Sequence, residues 1–115
     1  MDKSLEKALE FANYMATLEN QRRLLLEKFK ENTIHYAHGG KFTVDSGFIG
    51  YVLSLDTSDT THIVLDDNKI PVLIQDLEKF ITDVKEIYHT ALQNYYEEHE
   101  KLKKSRTVEK LIGSD

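Results

Sequence analysis

Two apolar series with heptad-like spacing, one in each half of the chain, constrain the fold more than any other feature. In the first, Ala8, Phe11, Met15, Leu18, Leu25 and Phe29 recur in steps of three and four, with Arg22 at the remaining position. Leu5, Ala12 and Leu26 widen the stripe. Ser4 or Asp2 can cap the start by accepting from a free backbone N–H, and Asn32, Thr33 and Ile34 mark the end. The spacing predicts a long helix over 4–31, about 42 Å at ~1.5 Å per residue. In the second series Leu77, Ile81, Val84, Tyr88, Ala91, Tyr95 and Leu102 continue the same spacing, behind Asp76 as an N-cap. This predicts a second long helix over 76–104, followed by a short tail helix over 107–112.

The segment between the arms, 33–74, has a different texture. Lys41-Phe-Thr-Val44 follows the Gly39-Gly40 turn and reads as a strand. Thr61–Leu65 and Ile70–Ile74 read as a hairpin turning through Asp66-Asp-Asn-Lys69, since Asp and Asn bond their own backbone. Pro71 lacks a donor and belongs at a strand start or a sheet edge. Ser46–Leu55 supports two readings. Alternation of Ile49, Tyr51, Leu53 and Leu55 argues for a strand, whereas Asp45 as a cap and the spacing of Phe48, Ile49, Val52 and Leu53 argue for a short helix. The balance favours the helix. The predicted class is α+β, mostly α: one domain over 1–115, in which two long antiparallel helices flank a small β-hairpin and short-helix insert.

At 115 residues the chain can bury one modest core. A compact globule of this size has a radius of gyration of about 13 Å, so helices of over ~40 Å cannot lie wholly within it. Their apolar flanks then need a further surface, and a second copy of the chain is the simplest source. No apolar run approaches the ~20 residues of a membrane-spanning helix. Met1-Asp2-Lys3-Ser4 has the character of neither a signal nor a transit peptide. The absence of cysteine excludes disulfides, thiolate metal sites and cysteine nucleophiles, and fits a cytosolic setting.

The net charge of −5 is unevenly spread. Residues 45–78 hold seven acids (Asp45, Asp56, Asp59, Asp66, Asp67, Asp76 and Glu78) and one base, Lys69, between two arms of balanced charge. Such a block repels nucleic acid at long range. Its plain reading is a set of solubilising surface carboxylates. At the other extreme it could mimic DNA and inhibit a host protein.

No arrangement of residues points to catalysis. None of His35, His38, His62, His89 and His99 forms an i,i+4 helical pair, and His35 and His38, three apart, should face opposite sides of a strand. Asp56-Thr-Ser-Asp59 and Asp66-Asp67-Asn68 lack the central glycine of a calcium loop and read as turns. Gly39-Gly40-Lys41 is followed by Phe42, not the Ser or Thr of a phosphate loop. No catalytic residue, metal or cofactor is therefore expected. Lys101, Lys103, Lys104 and Arg106, near Tyr95 and Tyr96, form a basic cluster that could contact a single strand, with Arg22-Arg23 as a second small basic spot, although Glu97, Glu98 and Glu100 offset it. Arg22 in the apolar series either fixes the register of a helical seam or extends to solvent.

Several segments resemble small uncharacterised proteins of marine phages with contractile tails. They are Leu9-Glu-Phe-Ala-Asn-Tyr14, Lys28-Phe-Lys30, Gly40-Lys-Phe-Thr43, Val64-Leu-Asp-Asp-Asn68 with Ile74-Gln-Asp-Leu77, Tyr95-Tyr96 and Arg106-Thr-Val-Glu-Lys-Leu111. The resemblance implies an infected bacterial cytoplasm or a virion, and supplies no functional residue. The helix–β–helix order is also similar to that of prefoldin subunits, in topology alone. The functional expectation is a non-enzymatic oligomeric interaction protein serving phage assembly, with a homo-oligomer or another protein as partner and no membrane. Its interface is expected at Phe11, Met15, Leu18, Arg22, Leu25, Phe29, Tyr88, Tyr95 and Leu102. The alternatives are a nucleic-acid accessory protein and an acidic inhibitor.

Overall fold

Asp2 starts the first helix: its carboxylate accepts from the Ser4 N–H at 3.2 Å and its carbonyl from the Glu6 N–H. With no Gly or Pro to interrupt it, helix α1 runs Lys3–Asn32. Thr33, which is buried, closes the last turn by donating its hydroxyl hydrogen to the Lys30 carbonyl at 2.8 Å. A computed structural model of the chain describes residues 2–113, with side chains described for 2–105. Its element order is α1, strand β1 (Ile34–Ala37), β2 (Gly40–Thr43), α2 (Ser46–Leu53), β3 (His62–Leu65), β4 (Pro71–Ile74) and α3 (Leu77–Gly113). Two long helices flank two small antiparallel hairpins and a short helix, so the fold is α+β and mostly α.

The first hairpin was not anticipated as a pair. Ile34 pairs with Thr43 and Ala37 with Gly40 across a two-residue turn, His38-Gly39. Both turn residues have positive φ, 53° and 80°, as a type I′ turn requires. Histidine in the first turn position hides a signal usually carried by Asn or Asp. The second hairpin pairs His62 with Ile74 and Leu65 with Pro71, as expected. The Asp66 carboxylate holds its turn by accepting from the Asn68 and Ile70 N–H groups, both at 2.9 Å. Residues 46–53 are helical, and the Asp45 carboxylate caps them at the Phe48 N–H.

Helix α3 begins behind Asp76, which accepts from the Lys79 N–H at 3.1 Å. The expected stop at 104 is not found: the helix continues to Gly113. Ser105 and Thr107 are modest helix formers rather than breakers, and no Gly or Pro precedes Gly113. The predicted tail helix over 107–112 is thus part of α3, and its side chains lie outside the described residues.

The chain falls into two compact units. One comprises residues 1–28 and 95–115, the other 29–94. The second contains the main core. Phe42, Val44, Val52, Val64, Ile74, Leu77, Phe80 and Val84 are buried together, with Phe48 and Ile49 packed at the margin. Phe80 lies edge-on to Phe42 at 5.3 Å between ring centroids and to Phe48 at 6.3 Å. Gly40 is buried because its missing side chain makes room for Val72: a Cβ there would lie 3.0 Å from Val72 Cγ2.

Candidate functional site

In the helical unit the heptad-spaced residues fall into two groups. Leu18 is buried, and Met15, Leu25, Tyr95 and Leu102 are half-buried. Leu25 and Leu102 line an open cavity of about 360 Å³ with Gln21, Leu24, Glu98 and Lys101. Phe11 belongs to the same series yet is 65% exposed, and Leu5, Leu9 and Leu24 are also exposed. Arg22 is exposed, as an arginine extending to solvent would be.

The other two predicted interface residues, Phe29 and Tyr88, belong to the second unit. Their rings meet edge to face at 6.1 Å with an interplanar angle of 69°. With Ile34 and Val44 they line an open cavity of about 500 Å³, rimmed by Lys30, Glu31 and Asp45.

The acidic block has a local explanation. Five of its seven carboxylates accept backbone N–H hydrogen bonds: Asp45 caps α2, Asp56 accepts from Ser58, Asp66 holds the β3–β4 turn, Asp67 accepts from Thr43, and Asp76 caps α3. Bonding to Ser58 lowers the Asp56 pKa. Asp59 and Glu78 make no such bond and are exposed. Among the described residues no group of three or more His, Asp or Glu comes together as a metal site requires.

The histidine expectation needs one correction. His35 and His38 do not face opposite ways, because strand β1 ends at Ala37 and His38 belongs to the turn. Both rings lie beside Phe80, at 5.9 and 6.5 Å between centroids. Nε2 of His35 is buried without a hydrogen-bond partner. Burial lowers the His35 pKa; Asp83 opposes that shift and His38 adds to it.

At the basic end of α3, Lys101, Lys103 and Lys104 are exposed, and Lys101 lies 3.5 Å from Glu98. The side chain of Arg106, the fourth predicted nucleic-acid contact, lies outside the described residues. A different surface, the outward face of β3–β4, is not among the expected interface residues. Its signal was present: Ile63-Val-Leu65 and Ile70-Pro-Val-Leu-Ile74 are apolar at every position, the pattern of strands covered on both faces.

No family model, curated protein or solved structure matches the chain. No helix among the described residues is long and apolar enough to cross a membrane.

Proposed function

We propose that the protein is a non-enzymatic interaction protein that works as an oligomer through its helical unit. The observation that carries this reading is Phe11: a large aromatic side chain at a heptad position, 65% exposed. Leu5 and Leu9 are exposed on the same helix, and Tyr96 on α3. Covering a Leu or Phe side chain contributes about 1.5–3 kcal/mol, so a few such residues can hold a second copy. A place in phage assembly is the narrower form of this proposal, and its support is the resemblance of the segments quoted above.

Light scattering at micromolar concentration tests the proposal. The expected result is an oligomer that Phe11→Asp or Leu25→Asp dissociates and that Lys28 or Lys30 substitutions leave intact. A monomer that co-purifies with no partner would overturn it.

The nucleic-acid alternative rests on Lys101, Lys103 and Lys104 near the exposed Tyr96. Against it stand the net charge of −5 and the Glu98 carboxylate beside Lys101. Titration with labelled single strands at low and moderate salt separates the readings, because phosphate contact must weaken as salt rises. The acidic-inhibitor alternative rests on the acidic block, five of whose seven carboxylates also serve caps and turns.

A further inference from the structure

Strands β3 and β4 place Ile63 opposite Leu73 and Leu65 opposite Pro71. These four side chains share one face of the hairpin, because Val64, Val72 and Ile74 occupy the other face and are buried. Ile63 is 61% exposed and Leu73 52%; Leu65 and Pro71 are exposed too, as is Ile70 beside the turn. The outward face of this hairpin therefore carries only apolar residues. An antiparallel pair with one wet face normally alternates apolar and polar residues, so this hairpin is built as if a second layer covered it.

Charge decides what that layer is. Two copies laid face to face would bring like charges together. Residues 56–78 carry Asp56, Asp59, Asp66, Asp67, Asp76 and Glu78 against Lys69 alone. Asp56 and Asp59 precede β3 and Asp76 and Glu78 follow β4, so the open end of the hairpin is acidic, while at the turn Asp66 is buried, Asp67 is bonded to Thr43 and Lys69 offsets them.

The geometry points to the outward face of β3–β4 as a docking surface for a cationic amphipathic segment of another protein. Its apolar side covers Ile63, Leu65 and Leu73, and its lysines or arginines meet the carboxylates at the open end of the hairpin. Charge of opposite sign steers the encounter and selects the partner. This inference goes beyond the oligomer reading and does not depend on it: a monomeric chain would still present the hairpin.

The test uses the full chain and a fluorescein-labelled amphipathic peptide of leucine and lysine, read by anisotropy at low and high salt. A leucine–glutamate peptide of the same pattern is the control. The Leu/Lys peptide is expected to bind, more weakly as salt rises, and the Leu/Glu peptide not to bind. Ile63→Ser with Leu73→Ser, both outward-facing and checked for folding by circular dichroism, is expected to lower affinity about tenfold. Asp59→Asn with Glu78→Gln removes charge without removing a cap and should weaken binding at low salt only. Tyr36→Ser, at an exposed aromatic on the other hairpin, should leave binding unchanged. Equal binding of the two peptides, an unaffected Ile63/Leu73 variant, an equal loss in Tyr36→Ser, or loss of self-association in the Ile63/Leu73 variant would each overturn the inference.

Discussion

Asp67 and Thr43 are joined twice: the Asp67 carboxylate accepts from the Thr43 backbone N–H at 2.8 Å and from its hydroxyl at 2.6 Å. The Asp67 N–H donates in turn to the Lys41 carbonyl at 2.9 Å. One residue from the β3–β4 turn thus occupies the open edge of β2 as a rung of a third strand would, and ties the two hairpins together. Asp67→Ala should lower stability by about 1–2 kcal/mol, the loss of a pair of charge-assisted bonds at an exposed site. In a double-mutant cycle with Thr43→Val, read by urea denaturation, the two changes should couple by at least ~0.5 kcal/mol. Simple additivity would show that the pair does not hold the hairpins.

Gly40 and Gly39 are adjacent but needed for different reasons. A Cβ at Gly40 would press on Val72 Cγ2 and Phe42 Cε2, whereas Gly39 faces open space and is needed for its φ of 80°. Gly40→Ala should cost about 1–3 kcal/mol through overpacking, and Val72→Ala should recover part of that. Gly39→Ala should cost about 1–2 kcal/mol through backbone strain, and Val72→Ala should recover none of it. Equal rescue of both would refute this division.

His35 gives stability a pH dependence whose sign follows from its lowered pKa. In the unfolded chain a histidine titrates near 6.5. Between that value and the lower folded one, the unfolded state binds more protons, so stability falls as pH drops below about 6.5 and levels off beneath the folded pKa. His35→Leu should flatten the curve. Asp83→Asn should extend the fall to lower pH, because Asp83 opposes the shift. Urea midpoints measured from neutral to mildly acidic pH provide the check, and an unchanged slope in His35→Leu would exclude this histidine.

Phe80 touches Phe42, Phe48, His35 and His38. Phe80→Ala should cost about 3–5 kcal/mol, the range for a buried aromatic. Phe48→Ala, at a half-buried ring, should cost less. Thermal melts rank the two, and the reverse order would place the centre of the core elsewhere.

Much of this fold was legible in the residues. The helix read over 4–31 is found at Lys3–Asn32, and the β3–β4 hairpin and the helix behind Asp45 stand where their cap and turn chemistry put them. Local signals failed in two places. Strand β1 has four residues and a turn led by His38, so neither length nor turn composition announced it. The end of α3 was misplaced because Ser105 and Thr107 can cap a helix or continue one, and here they continue it. Heptad spacing identified Phe11 as a seam residue but could not say that it would be left exposed. The outward hairpin face was legible only as unbroken apolar runs, which do not say whether the second face is covered.

That double-sided hairpin also bears on how the protein behaves in the test tube. The outer edges of a two-stranded sheet are open to further strands, and a greasy face beside such edges invites stacking of chain upon chain. Net negative charge opposes such stacking, and it fades as the histidines protonate and the net charge approaches zero near the pI of about 5.5. Purification slightly above neutrality, in modest salt, should yield dispersed protein; dialysis toward pH 5.5 should cloud it, first in preparations lacking whatever normally shields the hairpin.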